Sequence, residues 1–190
     1  MQIGWGKGKH EPLWQGTELA LAQPLALRSW LLTAGSLTRR VQARCCGRFH
    51  LEVLRHDWQR PQMNERRLLK MADPARALIR EVALCCDGRP WIFARTVLPA
   101  TTLRGRGRRL SRLGRKPLGE LLFRDRSVSR GHWQFTRIES GHAMFARLRP
   151  SLPPRQEVWG RRSVFFYANE PLLVSEMFLP ALAAADGGDE

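Results

Sequence analysis

Three charged residues stand out because strand alternation places each of them among apolar neighbours. Successive side chains of a β-strand point to opposite faces, so residues two apart share a face. In each of three predicted strands, one face is apolar except for a single charge. These segments and their charges are Leu78–Cys86 with Arg80, Pro90–Leu98 with Arg95, and Leu172–Leu179 with Glu176.

A charge on a buried face needs a partner, because an unpaired buried ion costs several kcal/mol. Two explanations stay open at this point. In the first, Arg80 or Arg95 forms a plain structural ion pair with Glu176. In the second, two guanidinium groups and one carboxylate line a closed pocket. Arginine binds both oxygens of a carboxylate, and glutamate can accept from a hydroxyl or handle a proton. The second explanation suits a small ligand with carboxylates and a hydroxyl.

The clearest element that positions these residues is a β-hairpin. Asp87-Gly88 is a typical tight-turn pair, and it joins the strand at Leu78–Cys86 to the strand at Pro90–Leu98. A later pair of strands turns at Asn169-Glu170. Hairpin connections imply antiparallel pairing.

The remaining elements are predicted from capping residues, alternation and breakers. Helices are expected at Leu25–Leu32, at Leu37–Ala43 with Ser36 as N-cap, at a start marked by Asp73-Pro74, and as two short segments in 104–123, the second beginning at Pro117. Further strands are expected at Arg48–Arg55, Val128–Ile138 and Ser163–Ala168, with a surface loop at 139–157. The fold class is therefore α+β, a single antiparallel sheet of about six strands with short helices packed on it.

The 190 residues suit one domain. We assign 1–23 to an N-terminal arm, 24–182 to the domain and 183–190 to an acidic disordered tail. Neither a membrane-spanning segment nor an export signal is apparent, so we expect a cytoplasmic protein without stable membrane insertion. No segment is typical of a dedicated apolar interface, and a monomer is the default.

The net charge of +15 comes from 32 lysines and arginines against 17 acidic residues. Such a balance fits a nucleic-acid partner, an anionic substrate, or a solvated basic face. The basic stretch at 104–109 has no strand-to-helix context for a phosphate loop, and no recognition-helix motif is present. Nucleic acid is therefore the less favoured partner.

The four cysteines form two adjacent pairs, Cys45-Cys46 and Cys85-Cys86. Adjacent cysteines do not have the spacing of a zinc site, and the histidines are scattered, so no metal is expected. Without an export signal, a disulfide framework is not expected either. We predict reduced, mostly buried thiols, with a redox pair as the alternative.

Several ordered segments resemble the chorismate–pyruvate lyase (chorismate lyase) family. They are "SLTRR" at 36–40, "IREVALCCDGRPWIFARTVLP" at 79–99, "LGRKPLGELLF" at 113–123, "WGRRS" at 159–163 and "PLLVSEMFLPA" at 171–181. The resemblance implies conversion of chorismate to 4-hydroxybenzoate and pyruvate, the first step of ubiquinone biosynthesis, without metal or organic cofactor. It also implies an antiparallel sheet with helical flaps over an internal ligand site.

Site roles follow from the same resemblance. Arg80 would bind the ring carboxylate, and Glu176 the 4-hydroxyl end of the ring. Leu118 would supply a backbone contact and a wall, and Leu37 would contact the ligand from a flap. From its charge, Arg95 is the candidate for the enolpyruvyl carboxylate and for stabilising the leaving group.

Two departures from the family pattern bear on the site. The segment 139–157 is longer than usual, as either a surface insertion or an added contact near the site mouth. Ala94 stands where the family carries glycine, and its methyl group would crowd the site. A non-catalytic ligand-binding domain of the same fold, as in some transcription regulators, stays as an alternative. Retention of Arg80, Arg95 and Glu176 together favours the enzyme.

Overall fold

A computed structural model describes residues 11–148 and 152–186, and it confirms the α+β class. A single antiparallel sheet has the strand order β1-β2-β3-β7-β6-β4, and β5 also pairs with β6. The strands are β1 (Phe49–Gln59), β2 (Ala77–Cys86), β3 (Arg89–Pro99), β4 (Ser129–Arg130), β5 (Gln134–Glu139), β6 (Glu157–Tyr167) and β7 (Glu170–Phe178). The α-helices are α1 (Glu18–Leu21), α2 (Leu25–Leu31), α3 (Leu37–Arg44), α4 (Met63–Leu68), α5 (Leu118–Arg124) and α6 (Pro180–Asp186), and 3-10 helices span Gly105–Arg112 and Ala143–Phe145.

The central hairpin is confirmed. Asp87 and Gly88 have φ of 48° and 75°, the left-handed conformation that a two-residue hairpin turn requires. Every residue of β2 is buried, because β1 and β3 flank it and both sheet faces are covered. The β6–β7 hairpin turns at Ala168 and Asn169, also at positive φ, one residue before the predicted turn.

The sheet has one strand more than predicted. The expected strand at Val128–Ile138 is divided into β4 and β5, which both pair with β6. The chain leaves the ladder between them, where the Gly131 N–H still donates to the Val164 carbonyl at 2.8 Å.

The prediction of a helix that starts at Asp73-Pro74 is wrong. Asp73 lies in a turn, and its carboxylate accepts from Arg60 at 2.6 Å and Arg66 at 2.7 Å rather than capping a helix. A helix that was not predicted, α4, precedes it. The capping box of Gln62 and Glu65 begins this helix.

Apolar residues cover both faces of the sheet. Helices α2, α3 and α5 cover one face, where Trp30, Leu37 and Leu118 are buried. On the other face, Phe93 packs edge-to-face on Phe145 with ring centroids 5.8 Å apart. The segment 139–157 is therefore not only a surface loop, since Phe145 belongs to the core. No helix in the described residues is long and apolar enough to cross a bilayer.

Both ends of the described chain join the domain. Gln15, within the arm, forms a β-bridge with Phe135, and Ala20 is buried. Helix α6 continues through residues 183–186, which were assigned to the tail. Residues 1–10 of the arm and 187–190 of the tail lie outside the described residues.

The prediction of reduced cysteines is wrong for Cys45 and Cys86, one cysteine from each adjacent pair. Cys45 and Cys86 form a disulfide, with Cα atoms 5.7 Å apart. The end of α3 lies beside the end of β2. Because the two cysteines are 41 residues apart in the sequence, this proximity could not be predicted from it. Cys46 is an exposed free thiol and Cys85 a buried one.

Candidate active site

A cavity lies between the sheet and two helical segments, as the predicted flaps require. We call Ser36 with α3 the first flap, and residues 104–124 the second flap. The flap residues that line the cavity are Ser36, Leu37, Thr38, Pro117, Leu118, Gly119, Leu122 and Phe123. The sheet and its edge contribute Leu51, Arg80, Val82, Leu84, Ile92, Ala94, Thr96, Arg130, Arg161, Phe165, Val174 and Glu176. Within a mostly apolar lining, three arginines and one glutamate are the charged groups.

Arg80 is a buried cation that has no counterion within the part of the chain that the structure describes. Only 2% of the Arg80 surface is exposed. Its Nη2 donates to the carbonyls of Gly114 at 3.1 Å and Lys116 at 3.0 Å in the second flap. Its Nε has no hydrogen-bond partner, and no carboxylate of the described residues forms an ion pair with it. Burial lowers the pKa of Arg80 to about 10, so the guanidinium is still charged at neutral pH. An anionic ligand would supply the missing partner.

Glu176 pairs with neither Arg80 nor Arg95, the two partners considered from the sequence. Arg161 Nε donates to Glu176 Oε2 at 2.8 Å. Arg161 is 1% exposed, and its Nη1 donates to the carbonyls of Leu31 at 2.9 Å and Thr33 at 2.6 Å. Arg161 thus fixes the carboxylate against the end of α2, while Glu176 still lines the cavity.

Arg95 does not reach this cavity, and the expectation that it shares a pocket with Arg80 and Glu176 is wrong. In the sheet, Arg95 lies opposite Glu81 and Ser175, whereas Arg80 lies opposite Thr96. Directly opposed residues share a face. The guanidinium of Arg95 therefore lies on the other face.

On that face Arg95 is fully paired. It binds Glu65 through two hydrogen bonds, Nε to Oε1 at 2.7 Å and Nη2 to Oε2 at 3.0 Å, and Nη1 donates to Glu81 Oε1 at 2.6 Å. Burial acts to lower the pKa of Arg95, but these hydrogen bonds and charges raise it above its ordinary value. Arg95 ties α4 to the sheet.

Leu37 and Leu118, the two leucines that the resemblance implies as ligand contacts, lie one in each flap. Leu37 begins α3 just after Ser36, whose Oγ accepts from the Arg39 N–H and caps the helix as predicted. Leu118 begins α5, and both leucines line the cavity. The flaps meet closely, since a Cβ on Gly119 would lie 3.3 Å from Ser36 Oγ.

Ala94 also lines the cavity, opposite Val82 on one neighbouring strand and Glu176 on the other. Its methyl group therefore occupies the floor between the two predicted ligand-binding charges. A glycine at this position would enlarge the floor there.

Sequence reasoning missed two cavity arginines, Arg130 and Arg161. A signal for Arg161 was present, since it lies in the "WGRRS" segment, and Trp159, Arg161, Ser163 and Phe165 alternate along β6. Arg130 had no such signal. It lies in the two-residue strand β4, too short for any alternation.

One group of potential metal ligands occurs among the described residues, but it is outside the cavity. Atoms of His50, Glu52 and Cys85 lie within 4.8 Å of one another. They alternate with Leu51 and Leu84, which line the cavity, and so face the other side of the sheet. Burial and the charge of Glu52 raise the pKa of the Cys85 thiol to about 11. The thiol is therefore protonated at neutral pH.

Two sequence comparisons with known proteins point to the same family. A family model described as chorismate lyase matches residues 9–185. A Methylococcus capsulatus protein named "Probable chorismate pyruvate-lyase" is 44% identical over 156 residues, covering 82% of this chain and 96% of that protein. A Coxiella burnetii protein of the same name is 33% identical over 183 residues, covering 95% of this chain and 94% of that protein.

Solved structures show the same fold at low identity. PhnF from Mycobacterium smegmatis superposes with a TM-score of 0.58 at 18% identity, over 79% of this chain and 66% of that chain. The C-terminal domain of the histidine utilization repressor from Pseudomonas syringae pv. tomato gives 0.54 at 9% identity, over 70% and 93%. At these identities the likeness concerns the fold alone.

Proposed function

The chain belongs to the chorismate lyase family and is a lyase, and from this premise we propose that it converts chorismate to 4-hydroxybenzoate and pyruvate. One observation carries the proposal beyond the family. Among the described residues, the buried guanidinium of Arg80 has no counterion, and it lines a cavity that also contains a glutamate held in place by Arg161. A carboxylate with a hydroxyl across the ring satisfies both groups.

In the proposed complex, the ring carboxylate binds Arg80. Nε and the remaining Nη of Arg80 are free for this contact, since its hydrogen bonds to Gly114 and Lys116 use Nη2. Glu176 binds the ring hydroxyl. Because Arg161 donates to Oε2, the other carboxylate oxygen is available to the ligand. Leu37 and Leu118 enclose the ring from the flaps, and Leu118 adds a backbone contact.

The reaction breaks the ether bond between the ring and the enolpyruvyl group and removes the hydrogen from the ring carbon that bears the hydroxyl. The ring becomes aromatic as 4-hydroxybenzoate, and the three-carbon fragment leaves as pyruvate. Fixing the substrate at both ends of the ring lowers the barrier by removing translational and rotational freedom. The mostly apolar lining of the cavity also strengthens each electrostatic contact to the substrate.

Two routes deliver that hydrogen. A base could remove it while enolpyruvate departs and is protonated, and Glu176 is the residue placed for this role. Alternatively, the hydrogen passes directly to the terminal vinyl carbon of the same substrate molecule, and no protein base takes part. In the second route Glu176 only orients the hydroxyl.

The first experiment mixes the purified protein with chorismate and follows both products. We expect equal appearance of 4-hydroxybenzoate and pyruvate. Arg80→Gln should remove most of this activity while circular dichroism stays unchanged. Arg137→Gln is a matched control, because Arg137 is also an arginine of the sheet, on β5, but does not line the cavity.

The outcome separates the lyase from its alternatives. If no chorismate is consumed but 4-hydroxybenzoate binds tightly, the chain is a non-catalytic ligand-binding relative of the same fold. If neither turnover nor binding occurs, the nucleic-acid-binding hypothesis, which is based on the net charge of +15, becomes the favoured one. Turnover that survives in a folded Arg80→Gln variant would contradict the proposed carboxylate site.

The physiological setting proposed here follows the family resemblance. The reaction would supply 4-hydroxybenzoate as the first step of ubiquinone biosynthesis, in the cytoplasm, by a monomer that uses no metal or organic cofactor. Gel filtration with light scattering tests the monomer directly.

A further inference from the structure

Arg130 is a cavity-lining cation that no carboxylate of the described residues pairs with. Its Nε donates to Ser163 Oγ at 3.1 Å. Its guanidinium also lies over Trp133, 4.7 Å from the ring centroid, and over Phe165 at 4.9 Å. These contacts restrain the side chain, and Arg130 lines the cavity.

Arg130 is electrostatically close to the Glu176–Arg161 pair. Burial lowers the pKa of Arg130 to about 10, the positive charge of Arg161 lowers it as well, and Glu176 opposes the shift. Glu176 is ion-paired with Arg161, and no carboxylate among residues 11–148 and 152–186 forms an ion pair with Arg130. A second anion would be stabilised at this point.

Arg80 and Arg130 both line the cavity, but they lie on strands toward opposite edges of the sheet. Arg80 lies on β2 and Arg130 on β4, four strands away in the order β2-β3-β7-β6-β4. At about 4.8 Å per strand, their backbones are roughly 19 Å apart. Arg80, Thr96, Val174 and Ser163 form one cross-strand row, and Arg130 donates to the last member of that row. Glu176 lies between the two arginines.

This order of charges matches the order of groups on the proposed substrate. The ring carboxylate and the hydroxyl are across the ring from each other, and the ether is on the carbon next to the hydroxyl. With the carboxylate on Arg80 and the hydroxyl on Glu176, the enolpyruvyl group lies beside Glu176. The anchor of its carboxylate must therefore be close to Glu176 and distant from Arg80.

We propose that Arg130 binds the enolpyruvyl carboxylate of chorismate and stabilises the fragment as it departs, an inference that rests on the proposed lyase function. Arg95 was the sequence-based candidate for this role, but it is paired with two glutamates on the other face. Arg161 is less suitable because Glu176 and two backbone carbonyls already occupy it. Arg130 binds only through the enolpyruvyl arm, so it contacts substrate but not 4-hydroxybenzoate.

The test compares a ligand that has this arm with a ligand that lacks it. For Arg130→Gln we expect kcat/KM for chorismate to fall roughly ten- to hundredfold, the effect of losing a hydrogen bond to a charged group. The Kd for 4-hydroxybenzoate should change by less than about threefold. Arg130→Lys keeps the positive charge but lacks the planar guanidinium that binds both carboxylate oxygens. It should therefore recover part of the lost kcat/KM. Arg137→Gln should change neither quantity, because Arg137 also lies over a tryptophan, 5.7 Å from the Trp159 centroid, but outside the cavity.

A structural role for Arg130 predicts a different result. If Arg130 only bridges Trp133 and Phe165, its loss should weaken chorismate and 4-hydroxybenzoate by the same factor, and that outcome overturns the inference. Unchanged kcat/KM in Arg130→Gln overturns it too. If Arg130→Gln does not fold, the decision rests on Arg130→Lys, for which equal changes toward both ligands count against the inference. Absence of turnover in the unmutated protein instead defeats the proposed function itself.

Discussion

At the scale of single residues, partners decide what each buried charge can do. Arg95 has two carboxylates, Glu176 has one guanidinium, and Arg80 has none among the described residues. All three looked alike in the sequence, each a charge on an apolar strand face. Only the two that line the cavity, Arg80 and Glu176, are available to a ligand.

Glu176 gives a prediction about the route of the hydrogen. Glu176→Ala should lose most activity, because it removes the hydroxyl contact and leaves Arg161 buried without its partner. Glu176→Gln retains a hydrogen-bond acceptor but cannot take a proton. We expect Glu176→Gln to keep clearly more kcat than Glu176→Ala, as the direct transfer route requires. Steady-state kinetics of both folded variants measures this. Equal loss of kcat in the two would favour Glu176 as a base.

At the scale of elements, the flaps and the sheet are joined through the ligand site itself. Arg80 donates to the carbonyls of Gly114 and Lys116, so the residue proposed to bind the ring carboxylate also binds the second flap. The first flap is attached at its other end by the Cys45–Cys86 disulfide. We therefore predict that a ligand leaves this cavity when the flaps separate, and that product release limits turnover.

Flap closure predicts a local pattern of hydrogen exchange. Binding of 4-hydroxybenzoate should slow amide exchange by roughly tenfold or more in 36–44 and 104–124, since opening must then also break the ligand contacts. Helix α4, on the far face, is the internal control and should not change. Hydrogen-exchange mass spectrometry with and without product provides the measurement. Equal slowing across the sheet, or none in the flaps, would contradict flap-gated release.

At the scale of the whole molecule, the two faces of the sheet have separate tasks. One face holds the cavity beneath the flaps. The other holds the buried network of Arg95, Glu65 and Glu81, with Arg55 3.3 Å from Glu81 at its margin. This network joins α4 to the centre of the sheet, so we assign it to stability.

The assignment predicts that Arg95 affects folding and not ligand binding. Arg95→Met leaves the buried Glu65 carboxylate without its ion-pair partner and Glu81 with only more distant arginines. It should lower the free energy of unfolding by about 3–5 kcal/mol. Urea unfolding measures the loss, and the 4-hydroxybenzoate Kd of the folded variant should stay unchanged. Arg60→Met removes an exposed ion pair with Asp73 and should cost less than about 1 kcal/mol. If Arg95→Met weakened ligand binding and left stability unchanged, Arg95 would belong to the ligand site and the assignment to stability would be wrong.

The sequence by itself determined the features that depend on neighbours along the chain. Alternation put Arg80 with Val82 and Leu84, the Asp87-Gly88 pair fixed the hairpin, and Ser36 marked the start of the first flap. Each follows from backbone geometry within a few residues. The ordered segments also identify the family, because their residue types and order are properties of the chain alone.

Only the tertiary structure decided which buried face each strand presents to the cavity. Alternation groups the residues of one strand, but when both faces are apolar it cannot say which face meets the ligand. That choice depends on register with strands far away in sequence, and it put Arg95 with Glu81 instead of Arg80. The Glu176–Arg161 pair, the Cys45–Cys86 disulfide and the place of Arg130 beside the cavity arise in the same way. Each joins residues that approach one another only when the sheet and flaps assemble.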